Sequence, residues 1–201
     1  MRAGRARIGI LDNSHRHSER GRIELICGCM FAGKTARLIE LLEAARAAGL
    51  TTAAFKHVLD RRYRDSELAT HDNRHFPAEA LAAAEEIETH AAGGQVIGVD
   101  EGQFFGPPLV ETVLRLRTAG RRIIIAGIDY NAWGHDFGPF PKLKEIADAV
   151  EVLTRPCGVC GQPARYTQRM TPVVEGRMVG GPGEYEPRCE TCFVPLPGAG
   201  E

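Results

Sequence analysis

Residues 28–35 read Gly-Cys-Met-Phe-Ala-Gly-Lys-Thr, a G-x-x-x-x-G-K-[ST] string. Its flanks give it meaning. Residues 22–27 (RIELIC) have the composition of a short strand, and residues 34–48 that of a helix with Leu38, Ile39, Leu42 and Ala45 at helical spacing and Gly49 as its stop. Between a strand and a helix, such a loop turns backbone amides toward phosphate oxygens, and the helix N-terminus adds partial positive charge. Lys34 is expected at the β- and γ-phosphates and the Thr35 hydroxyl on Mg2+. Gly28, Met30, Phe31, Ala32, Gly33, Lys34 and Thr35 together make the expected nucleotide cradle.

Phosphoryl transfer also needs a carboxylate for the metal and a group that takes the proton of the attacking hydroxyl. The string Val96-Ile97-Gly98-Val99-Asp100-Glu101 ends a second apolar run in two acids. Asp100 is expected to hold the Mg2+ hydration shell and Glu101 to act as the base.

Four of the six cysteines form two C-x-x-C pairs, Cys157 with Cys160 and Cys189 with Cys192. The two-residue gap lets both sulfurs of a pair face one tetrahedral ion, and four thiolates leave no open position, so the expected zinc is structural. A segment this short has too little core to fold on its own, and metal coordination compensates. Cys27 reads as a small core residue. Cys29, inside the phosphate loop, is expected to be favoured as thiolate by the surrounding amide dipoles, so that oxidation or alkylation would block nucleotide binding.

The elements that must position these groups alternate along the chain. Residues 51–55 read as a strand and residues 57–76 as a long polar loop. Residues 79–92 read as a helix, 96–99 as a strand, 108–118 as a helix, 121–128 as a strand and 141–150 as a helix. Continuous apolar strands between helices predict an α/β fold with a mainly parallel sheet covered on both faces. After about Leu153 glycine, proline and cysteine dominate. The expected organisation is a disordered basic extension over 1–20, a nucleotide-binding domain over 21–154, a zinc-binding module over 155–193 and a flexible tail over 194–201.

The chain has 201 residues, 43% hydrophobic and 25% charged, with net charge −1, which suits one soluble domain with a small appendage. A near-neutral chain lacks the positive field that gripping a long polyphosphate requires, so nucleic acid is not expected as a partner. No apolar run approaches the ~20 residues that cross a bilayer, and the basic first 20 residues lack an apolar stretch. A cytoplasmic protein without membrane contact is expected.

The strings G-x-M-F-A-G-K-T at 28–35, V-D-E-G-Q-F-F at 99–105 and T-H-D at 70–72, with the late cysteine pairs, together resemble the cellular-type (type II) thymidine kinase family from about Gly21 to Phe193. The resemblance implies a RecA-like P-loop domain with a zinc-bound lasso domain, assembled as a homotetramer, that uses ATP with Mg2+. It implies that Glu101 takes the proton of the deoxyribose 5'-hydroxyl and that Asp60 and Arg62 approach the phosphates and Mg2+. Met30 and Phe104 would wall the thymine pocket, and Thr167, Val179 and Tyr185 would meet the nucleoside. The glycine-rich stretch 171–187 would fold over the acceptor and bond the base through main-chain groups.

Some positions depart from the family pattern. The aromatic expected after residues 122–128 is either Tyr130 or Trp133. Asp136 stands where the family has Pro, Glu190 where it is usually basic, and Cys29 where it is usually small or Pro. The implied reaction is ATP plus thymidine to ADP plus dTMP. The alternatives are a kinase for another deoxynucleoside, such as deoxyuridine, and a nucleic-acid-binding ATPase whose zinc ribbon carries Arg155, Arg165, Tyr166, Arg169, Arg177 and Arg188. On that ribbon Glu175, Glu184, Glu186 and Glu190 dilute the charge.

Overall fold

The computed structural model describes residues 21–60, 66–70, 73–172, 180–181 and 183–198. Its centre is a sheet of six parallel strands in the order β5-β2-β6-β7-β1-β8. These are β1 (Arg22–Gly28), β2 (Thr52–His57), β5 (Glu79–Leu81), β6 (Val96–Asp100), β7 (Arg122–Gly127) and β8 (Ala149–Leu153). Ile23 pairs with Ile123 and Leu25 with Ile125, and every residue of β6 is buried. The near-continuous Val and Ile runs follow from that burial, since a strand covered on both faces has no solvent side to make polar.

One face of the sheet is covered by α1 (Lys34–Ala47), which buries Leu38, Ile39, Leu42 and Ala45. The other face receives α2 (Ala84–His90), α3 (Pro108–Thr118) and α4 (Phe140–Ile146), through Ile87, Leu109, Val113, Leu116, Phe140 and Leu143. Each such side chain contributes about 1.5–3 kcal/mol on leaving water. Because all six strands run the same way, their C-terminal ends lie along one edge, and the phosphate loop and the acidic pair emerge there together.

Three segments differ from the sequence reading. The polar stretch after β2 contains an antiparallel hairpin of β3 (Glu67–Ala69) and β4 (His75–Pro77), which buries Leu68 and Phe76 on α1. Residues 79–81, read as helix, pair with β2 instead, and α2 starts only at Ala84. The Glu86 carboxylate sets that start by accepting the amides of Ala82 and Ala83 at 3.0 and 2.8 Å. The helix expected over 141–150 stops at Ile146. Ala147 is extended and residues 149–153 form β8, held to β1 through Asp148, which accepts the Ile23 amide at 2.9 Å and donates its own amide to Ile23 O at 2.8 Å.

Beyond β8 come two short antiparallel pairs, β9 (Arg155–Pro156) with β10 (Pro163–Ala164) and β11 (Tyr166–Arg169) with β12 (Tyr185–Arg188). Val194 and Leu196, within the expected tail, bond to Gln168 and Ala132. The expected extension 1–20, Arg62, His71, Asp72, Val179 and residues 199–201 lie outside the described residues. Among those described, no helix is long and apolar enough to cross a membrane.

Candidate active site and metal centre

β1 ends at Gly28, whose φ is 138° and whose missing Cβ would lie 2.0 Å from Leu153 O, so no other residue fits there. The loop then passes through Phe31 at φ 64° and Gly33 at φ 87° before α1 begins. Lys34, buried at the first turn, donates to Cys29 O at 2.7 Å. The Thr35 hydroxyl donates to Asp100 Oδ2 at 2.8 Å, which brings the two expected Mg2+ groups together.

Asp100 closes β6, and its Oδ1 accepts the Glu101 amide at 3.0 Å. Glu101 itself is buried and left-handed, with φ 52° and ψ 40°. Such a conformation in a non-glycine residue costs of order 1–3 kcal/mol and persists only where the surroundings hold it. Gln103 is part of that hold: its Nε2 donates to Glu101 Oε2 at 2.5 Å and its Oε1 accepts the Ile128 amide at 3.0 Å. The sequence reading placed no role on Gln103, because its function depends on Ile128, a residue from another strand end.

Lys34, Thr35, Asp60, Asp100 and Glu101 line one cavity of about 350 Å³ with Met30, Phe31 and Arg155. Asp60 arrives from β2 through a turn in which its amide donates to His57 O at 2.9 Å. Of the expected cradle, Met30, Phe31, Gly33, Lys34 and Thr35 thus face the same space as both acids, whereas Gly28 and Ala32 do not line it. Ala69 and Thr70 complete part of the wall, a contribution of the β3–β4 hairpin that periodicity did not reveal.

Of the residues expected at the nucleoside, Met30 lines this cavity, whereas Phe104, Thr167 and Tyr185 do not. Phe104 stands edge-on to Phe137 at 6.1 Å. Tyr185 packs with Met30 and Ala132, and Trp133 joins that cluster. Tyr130 instead lies 5.2 Å from Tyr166, with Lys144 and Arg165 over its ring, so Trp133 is the aromatic that accompanies Met30 and Tyr185. Arg169, which the sequence offered only to the nucleic-acid alternative, donates to the Tyr185 hydroxyl at 2.7 Å and to the carbonyls of Thr171 and Pro172. Burial raises the Tyr185 phenol pKa, opposed by Arg169.

The four sulfurs of Cys157, Cys160, Cys189 and Cys192 lie within 4.8 Å of one another. Zinc at ~2.3 Å from each of four tetrahedral sulfurs would set them about 3.8 Å apart, so the residues fit that ion. The turn of the first pair is tied by Cys157 N to Gln162 O at 2.8 Å and Gly161 N to Cys157 O at 2.9 Å, and that of the second by Cys192 N to Cys189 O at 3.1 Å. Among the described residues the buried apolar cluster around them holds Cys29, Cys157, Ala164 and Cys189, with Ala32 and Cys192 partly buried against it, too little to hold a fold without a ligand.

Cys29 corrects the expectation of a reactive thiolate. It is fully buried, burial pushes its thiol pKa up despite Lys34 nearby, and its Sγ donates to Ala164 O at 3.4 Å. Cys27 is pushed up to about 11 by burial and then by the Asp129 carboxylate, as suits a core residue. Asp129 is wholly buried and accepts from Lys144 at 2.8 Å and Arg165 at 2.9 Å, joining α4 to the cysteine module.

The model of the thymidine kinase family matches residues 21–193. The chain is 41% identical over 176 residues to a thymidine kinase of Rhodothermus sp. (strain ITI 518), covering 87% of this chain and 82% of the relative. It is 37% identical over 184 residues to one of Porphyromonas gingivalis, covering 91% and 90%. A thymidine kinase of Bdellovibrio bacteriovorus is 39% identical over 177 residues, covering 88% and 87%.

Proposed function

The chain belongs to the thymidine kinase family, and from that footing we propose that it transfers the γ-phosphoryl group of ATP to the 5'-hydroxyl of thymidine, giving ADP and dTMP. The observation that carries this reading is the single cavity onto which Lys34, the Thr35–Asp100 pair and Glu101 all open. In it the loop amides and Lys34 would hold the polyphosphate, with Lys34 leaving Cys29 O for the developing negative charge. Mg2+, when bound, supplies charge neutralisation across the phosphates, and Thr35, Asp100 and Asp60 are the groups that would hold it.

Glu101 accepts the 5'-hydroxyl proton and, fixed by Gln103, aims the oxygen at the γ-phosphorus. The base would lie toward Met30, Tyr185 and Trp133, and family likeness adds Phe104 and Thr167 to its surroundings. Family likeness assigns Arg62 to the phosphates and Val179 to the nucleoside, both outside the described residues. We assign residues 21–154 to the nucleotide domain and 155–193 to the zinc-binding module, in a cytoplasmic homotetramer.

A nucleic-acid role finds little support, because the described arginines it would use, which are all but Arg177, are engaged within the chain. Arg155 donates to Phe31 O, Arg165 to Asp129, Arg169 to Tyr185 and Arg188 to Glu186. Transfer of label from γ-labelled ATP, run across the deoxynucleosides with and without single-stranded DNA, tests the reading. Labelled dTMP, formed independently of DNA, is the expected product. Label in another deoxynucleotide alone, or ATP hydrolysis that depends on DNA, would replace it.

A further inference from the structure

Three consecutive residues of the phosphate loop are bonded from behind by the cysteine module. Cys29 Sγ donates to Ala164 O at 3.4 Å, the Met30 amide to Thr167 Oγ1 at 3.0 Å, and Phe31 O accepts from Arg155 at 2.9 Å. Apolar packing follows the same line. Cys29 and Ala32 share a cluster with Ala164 and three of the four clustered cysteines, Cys157, Cys189 and Cys192.

These bonds bear on how the loop keeps its shape. The Met30 amide is spent on Thr167 in a buried setting, so it serves as an anchor rather than as a phosphate donor. The next residue, Phe31, is left-handed without being glycine, and its carbonyl is turned to the Arg155 guanidinium. A strained loop conformation persists where its surroundings over-determine it, and here part of those surroundings comes from residues more than a hundred positions away.

We propose that Thr167 and Arg155 are positioning residues for the ATP site: through them the cysteine module sets the backbone of residues 29–31 and so governs donor binding as well as the acceptor side. The inference rests on reading residues 28–35 as the ATP cradle. It differs from a role of Thr167 at the nucleoside, since its effect must appear with no nucleoside present. Thr167→Val keeps the shape of the side chain and leaves the buried Met30 amide without its acceptor. Thr167→Ser keeps the hydroxyl. Arg155→Met, at an exposed position, removes the bond to Phe31 O together with a cation of the cavity wall.

The test is binding of a fluorescent ATP analogue with Mg2+ to the full chain, without nucleoside, with zinc content measured on the same samples. Thr167→Val is expected to weaken binding about 5- to 30-fold and Arg155→Met about 3- to 10-fold, the range for one lost hydrogen bond. Thr167→Ser should stay within about 3-fold of the parent protein. Parent-like ATP binding by Thr167→Val at full zinc content overturns the proposal. Should that variant not fold, parent-like ATP binding by Arg155→Met overturns it equally. Failure of the kinase reading is separate: a parent protein that binds the ATP analogue but makes no dTMP defeats that reading while these affinity shifts still stand.

Discussion

The Gln103 carboxamide links Glu101 to the end of β7, donating to the Glu101 carboxylate at 2.5 Å and accepting the Ile128 amide at 3.0 Å. Two neighbours in the sequence thus have their geometry fixed by a third residue just past a different strand. If Glu101 is the base, Glu101→Gln should lower kcat by roughly 10²-fold or more with ATP affinity little changed. Gln103→Met, similar in volume, should lower kcat by about 10- to 100-fold, the scale of a misaimed reacting group. Steady-state kinetics with both substrates varied measures each, and near-parent kcat in Glu101→Gln removes it from the role of base.

Gly127 guards the same link. A Cβ there would lie 2.4 Å from Gln103 Oε1 and 2.6 Å from Phe140 Cζ. Gly127→Ala must therefore displace both the carboxamide and the ring, and should cost about 1–3 kcal/mol of stability together with a fall in kcat. Urea unfolding and kcat measured at a permissive temperature separate the two effects. A variant with full stability and full turnover would show that the site has slack the distances do not suggest.

The cysteine cluster predicts about one zinc per chain by elemental analysis. Cys157→Ser should lose that metal and lower the midpoint of thermal unfolding, because the cluster beside it has almost no other apolar content. Protein that is stable and active with less than a tenth of an equivalent of zinc would refute a structural ion.

His57 predicts a pH dependence. Its Nδ1 accepts the Leu59 amide at 3.2 Å and its Nε2 faces Ala82 O at 3.2 Å, so the folded protein holds the neutral ring with Nε2 protonated. Burial lowers its pKa below the ordinary value of 6.5. The unfolded chain then takes up the proton first, so this residue costs nothing above about pH 6.5 and destabilises increasingly as pH falls toward the folded pKa. Thermal midpoints at pH 7.5 and pH 5.5 should differ less in His57→Gln than in the parent. Equal differences would remove His57 from the acid response.

Much of this was legible in the sequence because it is local. The cradle at 28–35, the acids Asp100 and Glu101 and the cysteine pairs announce themselves by spacing, and the family strings extended that reading to residues 21–193. The elements that were misread are those whose identity is tertiary. Residues 79–81 have helical composition but pair with β2, and residues 149–153 alternate in burial as a margin strand does, whereas a buried central strand is apolar throughout. Gln103, Arg155 and Arg169 act through partners on other elements, so no spacing within the sequence points to them.

Leu153 ends β8 and Arg155 opens β9, with Thr154 alone between them. Tension arriving from the cysteine cluster is delivered straight along the outermost strand of the sheet, as shear against β1, with Thr154 alone as the intervening residue. With a single residue as the joint, whatever stiffens or loosens the cysteine cluster is passed to the strand from which it hangs as well as to the loop it touches.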